Sequence, residues 1–287
     1  MSEREVWTTL KLLNWTKEYL AGKGIENARL EGEWLLCHAL SLDRVGLYLN
    51  FDKPLLESEL AAFRALVSRR AKREPLQHIL GTQEFMGLEF MVSAAALIPR
   101  YDTELLVSEA LKALPKAQRV LDIGTGSGCV AIALARNLPA ATVVSVDISK
   151  AALELAQSNA SLNSAVVDLR EGSLFEPVNG EYFDLIVSNP PYIPAADIET
   201  LQPEVRDFEP RSALDGGVDG LDFYRQIARI APQHLSSGGW LLLEVGIGQA
   251  TEVSQMLAEN GFSDIYSAKD SGRIDRVVGG RLQTHKD

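Results

Sequence analysis

Apolar positions in this chain follow two different rhythms. Up to about residue 75 they recur at helical spacing. "VWTTLKLLNWTKEYL" sets Val6, Leu10, Leu13 and Leu20 on one stripe. "NARLEGEWLLCHALSL" and "LLESELAAFRALVSRRAKR" repeat the pattern, with Gly and Pro punctuation between them. Pro75 ends the series, so residues 1–75 are expected to form a small helical bundle whose stripes are its core. "QEFMGLEFMV" then offers two short apolar-aromatic runs around Met86-Gly87, which predict a hairpin in a linker over residues 76–96.

From about Leu97 strands and helices alternate. "RVLDIG", "ATVVSVDI", "VDLREG", "FDLIVSN" and "GGWLLLEVG" read as strands. "CVAIALARNL", "KAALELAQSNASLN" (with Ser149 as N-cap), "LDFYRQIARIAPQHL" and "TEVSQMLAENG" (closed by Gly261) read as helices. "SDIYSAKD" and "DRVVGGRL" add two last strands with no helix between them. The expected fold over residues 97–287 is α/β: a doubly wound, mostly parallel seven-stranded sheet, covered on both faces, with an antiparallel pair at one edge.

Composition narrows the class. Apolar content of 46% and charged content of 23% over 287 residues fit a globular protein with a substantial core. Cys37 and Cys129 lie far apart in apolar stretches and read as reduced core residues of a cytosolic protein, with no disulfide framework and no zinc spacing. "MSEREVW" is charged rather than a signal peptide, and no apolar run approaches a membrane span. The net charge of −11 is uneven: residues 1–80 carry +1 and the remaining 207 carry −12. So acidic a body argues against a broad nucleic-acid surface, which needs clustered Lys and Arg. "RRAKR" at Arg69–Arg73 is the local exception, and a solvated helix face is the expectation for it.

Chemistry concentrates at two strand ends. "VLDIGTGSGCV" runs strand, Gly124-Thr125-Gly126-Ser127-Gly128, helix. Glycine there lets backbone approach a ligand and permits positive φ in a tight turn. The spacing is G-x-G-x-G rather than the G-x-G-x-x-G of a pyrophosphate site. Asp147 closes the next strand, where a carboxylate can accept from two vicinal ribose hydroxyls. An adenosine without a pyrophosphate fits best, which points to S-adenosylmethionine; a purely structural turn is the alternative. Asp122 either binds the cofactor's amino group or ties down loop N–H groups.

The second strand end is "SNPPYIP", directly behind "FDLIV". Ligands of open parallel sheets bind beyond the carboxyl ends of strands, near the switch in strand order. If "RVLDIG" is central and "FDLIVSN" its neighbour across that switch, Asn189-Pro190-Pro191-Tyr192 sits beside the glycine turn. A planar NH2 group is a poor nucleophile because its lone pair is delocalised. Methyl transfer to it needs acceptors that hold both N–H bonds and favour positive charge on nitrogen. The Asn189 side-chain carbonyl and the Pro190 main-chain carbonyl can supply them. The proline rings stiffen the backbone that carries them, and Tyr192 offers a ring face to the planar substrate. A rigid connector with no site is the other reading of Pro-Pro. The quartet specifies a planar NH2 acceptor, not which one. A DNA or RNA amino-methyltransferase would use the same quartet, with room for a flipped base. A non-catalytic binding module and a dehydrogenase are further rivals, disfavoured by the quartet and by the glycine spacing.

Across nearly its full length the chain resembles the bacterial release factor glutamine methyltransferase family (PrmC, or HemK). The likeness runs through "PLQHILGTQEFMGLEF", "LIPRYDTELLV", "VLDIGTGSGCVAIALA", "FDLIVSNPPYIP", "PEVRDFEPRSALDGGVDGLDFYR", "GGWLLLEVGIGQ" and "GRIDRVVGGRL". It implies a class I, Rossmann-like, S-adenosylmethionine-dependent methyltransferase domain. It also implies N5-methylation of the glutamine in the Gly-Gly-Gln loop of class 1 peptide chain release factors, and a helical N-terminal domain that helps to dock the factor. Carried over position by position, Gly124, Thr125, Gly126, Ser127, Gly128 and Asp147 would hold the cofactor, with Asn189 beside them. Leu174 would line the adenine pocket, and Asn189 to Tyr192 would hold the glutamine amide. Ser173 stands where the family often has an acidic residue, and Tyr101 follows Arg100 where I-P-R-P is usual. A cytoplasmic monomer with no metal, no membrane and no direct nucleic-acid partner is expected.

Overall fold

The computed structural model describes residues 6–283; the first five residues of the charged N-terminal stretch lie outside the described residues. Two compact units are present. One takes the chain up to Gly81 together with Pro203–Phe208, and the other takes Thr82–Gln202 and the chain from Glu209 onward.

Five helices precede the first strand: α1 (Thr9–Ala21), α2 (Ala28–Leu40), α3 (Arg44–Leu49), α4 (Glu57–Arg70) and α5 (Leu76–Leu80). Their shared core includes Leu12, Leu20, Leu35, Leu36, Leu47, Phe63 and Ile79. On α1 the buried stripe is Thr9, Leu12, Leu13, Thr16 and Leu20. Val6 and Leu10, expected on that stripe, are 62% and 40% exposed. Leu10 sits about 100° further round than Thr9, so the line through Leu13 and Leu20 passes it by. Helix α3 starts where the Asp43 carboxylate accepts the Gly46 N–H at 2.6 Å. Pro75 does not end the helices: its fixed φ of −54° opens α5, which occupies residues expected in the linker.

"RRAKR" is not the solvated face that its charge suggests. Arg70 is 5% exposed and pairs with Glu31, and its Nη1 lies 2.9 Å from Glu204 Oε1. Arg73 Nη2 reaches Glu204 Oε2 at 2.7 Å, and Arg69 Nη2 meets Glu74 at 2.6 Å. Glu204 belongs to Pro203–Phe208, so this ionic cluster joins a late segment of the chain to the first unit. Sequence distance hid the partner.

The second unit opens with the hairpin β1 (Thr82–Phe85) and β2 (Leu88–Met91), turned at Met86 (φ 51°) and Gly87 (φ 72°) as a two-residue loop with both central φ positive. Phe85 and Phe90 are fully buried in the unit's core, so the hairpin is built into this unit rather than strung before it. Then come α6 (Thr103–Ala113), β3 (Arg119–Ile123), α7 (Cys129–Asn137), β4 (Thr142–Asp147), α8 (Lys150–Leu162), β5 (Asp168–Glu171) and β6 (Phe183–Ser188). After α9 (Pro203–Arg206), which belongs to the first unit, follow α10 (Asp222–Ile230), β7 (Leu235–Glu244), α11 (Ala250–Glu259), β8 (Phe262–Lys269) and β9 (Asp275–Leu282). The sheet has seven strands in the order β5-β4-β3-β6-β7-β9-β8, parallel except for β9, which runs antiparallel to both its neighbours. The expected sheet and its irregular edge are both present.

Alternation along the strands divides the core. Val120, Leu185, Val187 and Leu242 pack with α6 and α7; Leu121, Ile123, Ile186, Leu241 and Leu243 pack with α10 and α11. A parallel sheet buried on both faces must read as near-continuous apolar runs, and these do.

Removing Arg70 leaves the largely buried Glu31 carboxylate without its partner and Glu204 with Arg73 alone. Arg70→Ala is expected to destabilise the first unit by about 3 kcal/mol. Three of the four tryptophans, Trp7, Trp15 and Trp34, lie in that unit, so urea unfolding followed by tryptophan fluorescence checks this. An unchanged midpoint contradicts a structural role for the cluster.

Candidate active site

Strand β3 lies at the switch in strand order, between β4 and β6, with Ile123 in register with both Val146 and Ser188. The residues that follow these strand ends line one cavity of about 350 Å³, within the size range of small-molecule sites.

The glycine turn forms its floor. Gly124, Gly126 and Gly128 have φ of 81°, 56° and 83°. At Gly128 a Cβ would also come within 3.0 Å of the Ala156 and Ile132 side chains, so only glycine lets α7 start this close to α8. The Gly124 and Thr125 N–H groups donate to Val146 O at 2.8 and 3.1 Å. Asp147 holds the rest of the loop: Oδ2 accepts from Gly126 N and Oδ1 from Ser149 N, each at 2.8 Å. Each oxygen keeps acceptor capacity for a further donor. Asp122 does not bind the loop N–H groups. It is 2% exposed and accepts from Ser145 Oγ at 2.7 Å, while Ser145 also bonds Thr125 Oγ1. Burial pushes its carboxyl up to about 7, with Ser145 acting the other way. Ser127 is buried, and its Oγ has no hydrogen-bond partner among the described residues. Leu174 enters the cavity wall from a left-handed backbone, φ 49°.

The opposite wall is the end of β6. The Ser188 hydroxyl donates to Ile123 O at 2.7 Å and closes the two strand ends together. Asn189, Pro190 and Pro191 line the cavity. The Asn189 Nδ2 group donates to Thr103 Oγ1 at 3.2 Å, and no donor among the described residues reaches its Oδ1 or the Pro190 carbonyl. Tyr192 does not line the cavity. Its ring packs beside Gly246, behind the wall, and burial raises its hydroxyl to about 12. Gln249 anchors the quartet from that side: Nε2 donates to the Tyr192 carbonyl at 3.0 Å, and Oε1 accepts from Gly246 N at 2.9 Å. Gly220 is required here, since a Cβ would stand 2.3 Å from the Tyr192 oxygen.

At the rim, Arg100 Nη2 donates to both oxygens of buried Glu209, at 2.8 and 2.7 Å, and the Ile98 N–H adds a longer bond at 3.4 Å. This clamp fixes the walls contributed by Pro99, Arg100 and Pro210. Burial raises the Glu209 carboxyl; Arg100 offsets part of that.

Of the residues expected to hold a cofactor, Gly124, Thr125, Gly126, Ser127, Asp147 and Leu174 line this cavity, as do Asn189, Pro190 and Pro191; Gly128 does not, and stands where α7 starts against α8. Reading the strands did not single out Glu244, Thr103 or Gln249. Glu244 had a signal: a carboxylate that closes the wholly apolar run "WLLLE". Among the described residues no group of three His, Cys, Asp or Glu is placed to hold a metal, and no helix is long and apolar enough to cross a membrane.

Comparison with known proteins gives this geometry its class. A family model described as the methyltransferase small domain matches residues 100–202, and the PrmC N-terminal domain matches residues 11–81. A solved Thermus thermophilus 16S rRNA methyltransferase, in complex with AdoMet and guanosine, shares the sheet architecture. Its TM-score is 0.53 at 19% identity, over 70% of this chain and 50% of that one. The sheet-bearing unit is thus that of an S-adenosylmethionine-dependent methyltransferase. The release factor glutamine methyltransferase of Geobacter sulfurreducens is 64% identical over 283 residues, 98% of this chain and all of that protein. That of Chlorobaculum tepidum is 41% identical, over 96% of this chain and 98% of its own. The chain belongs to the release factor glutamine methyltransferase family.

The raised Asp122 carboxyl has a consequence for stability. An unfolded Asp titrates near roughly 3.9, so the folded state binds the proton more tightly. Its contribution is fully present below about 4 and is lost as pH rises to about 7. Asp122→Asn keeps the shape and removes the titration. Relative to wild type, the variant's Tm should rise between pH 5 and pH 7.5 in thermal melts without ligand. A Tm difference independent of pH contradicts the assignment.

Proposed function

We propose that this cavity binds S-adenosylmethionine and presents its methyl group to the side-chain amide of a glutamine, the one in the Gly-Gly-Gln loop of class 1 peptide chain release factors. The chain is a protein-glutamine N-methyltransferase by family. What carries the site reading is the pair of acceptors, Asn189 Oδ1 and the Pro190 carbonyl, without protein donors and one strand away from the glycine turn.

The residues present fit the cofactor. The glycine turn leaves backbone open for close approach, and Asp147 keeps acceptor positions for ribose hydroxyls. Gly124, Thr125, Gly126, Ser127, Gly128 and Asp147 would hold it, with Leu174 against the adenine. When bound, it supplies a methyl group on a positively charged sulfur.

Everything else falls to the chain's own groups. The two carbonyls accept the two N–H bonds of the glutamine amide and set its plane. As nitrogen bonds to the methyl carbon, the carbon's bond to sulfur would break with its electron pair left on sulfur; nitrogen becomes positive, and oriented carbonyl dipoles favour that charge. The nitrogen then returns to neutrality by losing one proton to solvent water. Pro190 and Pro191 keep these dipoles oriented without reorganisation. With its ring behind the wall, Tyr192 acts through its backbone, as the residue that Gln249 anchors, rather than by stacking on substrate. The acidic second unit supports a protein substrate over nucleic acid, and a cytoplasmic monomer fits this work.

The test is mass spectrometry of a purified release factor incubated with this protein and labelled S-adenosylmethionine. A gain of one CH2 on the Gly-Gly-Gln glutamine is expected, with no transfer to DNA or RNA; transfer to nucleic acid alone overturns the reading. Asn189→Ala should leave cofactor binding near normal and lower transfer by at least about a hundredfold. Unchanged turnover would remove Asn189 from the site.

A further inference from the structure

Glu244 closes β7 at 2% exposure, and its Oε2 has no hydrogen-bond partner among the described residues. A buried ionised carboxyl left so is strongly unfavourable, so the groups that face it matter. Two of them are Thr103 and Asn189, and both favour its ionised form. Asn189 gives one amide N–H to Thr103 Oγ1. A hydroxyl that accepts there still has its own proton to give, and the β6–β7 register, with Ser188 opposite Leu243, sets Asn189 and Glu244 side by side at the two strand ends. The Arg276 guanidinium is engaged elsewhere, 3.1 Å from Asp102 and 3.0 Å from Asp270.

We propose that Glu244 is a positioning residue for methyl transfer: acting on the NH2 side of Asn189, directly and through Thr103, it holds the Asn189 carbonyl toward the substrate nitrogen. The proposal rests on the reading of Asn189 as an acceptor of the glutamine amide. An Asn side chain is nearly symmetric in shape, and its flipped form would set N–H against the substrate's N–H. A carboxylate only accepts, so it selects the NH2 group on its own side and leaves Oδ1 for the cavity. Donation from Nδ2 into an anionic network also draws electron density to Oδ1, where positive charge on the glutamine nitrogen must be met.

Ionisation of Glu244 is therefore needed. Burial pushes its carboxyl up to about 7; Asp102 ahead of α6 adds to this, and Arg276 of β9 opposes it. Tyr192, the Tyr224 hydroxyl of α10 (donating to the Glu244 main-chain carbonyl at 2.9 Å) and the Cys129 thiol of α7 stand around it. All three are neutral near pH 7, because burial raises each of them. The competent fraction should rise with pH through about 7.

Two measurements test this on the full-length protein. In the first, kcat for a release factor is followed from pH 6 to 8.5 in wild type and Glu244→Gln. Wild type should show a rising limb near 7; the variant should lose that limb and fall about tenfold, with S-adenosylmethionine affinity unchanged. A variant that keeps the limb and the rate, or that loses cofactor affinity in proportion to rate, overturns the proposal. In the second, the Asn189 side-chain NH2 signals of wild type are titrated by NMR without substrate. An inflection near pH 7 is expected; pH-independent signals overturn the proposal even if the variant cannot be purified. If wild type fails to methylate release factor while the Asn189 amide titrates, the substrate reading fails and the positioning of Asn189 stands.

Discussion

One pairing governs this site: β3 against β6, parallel and in register, with Ile123 opposite Ser188. Because the two strands run the same way, their carboxyl ends open on the same side, and the glycine turn and the Asn-Pro-Pro segment begin one residue later on each. The Ser188 hydroxyl ties this junction to Ile123 O. A slip of one residue would turn every side chain of β6 to the other face and would carry Asn189 out of the cavity. The apolar alternation of both strands, buried on two sides, makes that slip costly. Catalytic geometry here depends on core packing.

The remaining supports act on the same two loops. Asp147 and Val146 hold the glycine turn from β4, Gln249 and Gly220 hold the Tyr192 backbone, and Arg100 with Glu209 clamps the rim. Most of these bonds go to main-chain atoms, so they fix where carbonyls point rather than supply reactive groups. That suits a reaction whose nucleophile needs orientation more than it needs a base. The buried carboxyls Asp122 and Glu244 are the cost of such a wall, and both are held near neutrality's edge by burial.

Much of this was legible in the sequence because it is local. The strand and helix periods, Ser149 as a cap, the Met86-Gly87 turn and the glycine spacing depend on neighbours within a few residues, and the structure places them as read. What escaped depends on distant partners. Arg70 looked solvated because Glu204, which buries it with Glu31, lies far along the chain. The α1 stripe was misplaced by part of a turn, because Thr9 and Thr16 are buried where Val6 and Leu10 are not. Tyr192 looked like a stacking platform, yet its ring lies against Gly246 and does not line the cavity. Glu244 passed as a strand end, since nothing in "LLLEVG" shows that Thr103 and Asn189 face it.

The central claim is that the Asn189 and Pro190 carbonyls together hold the nitrogen that receives the methyl group. A crystal structure of the protein with S-adenosylhomocysteine and a Gly-Gly-Gln peptide measures this directly. The account predicts the glutamine side-chain nitrogen at about 2.7–3.2 Å from both Asn189 Oδ1 and the Pro190 carbonyl oxygen. A well-ordered glutamine whose nitrogen is held by other groups, with neither carbonyl within hydrogen-bond reach, would contradict it.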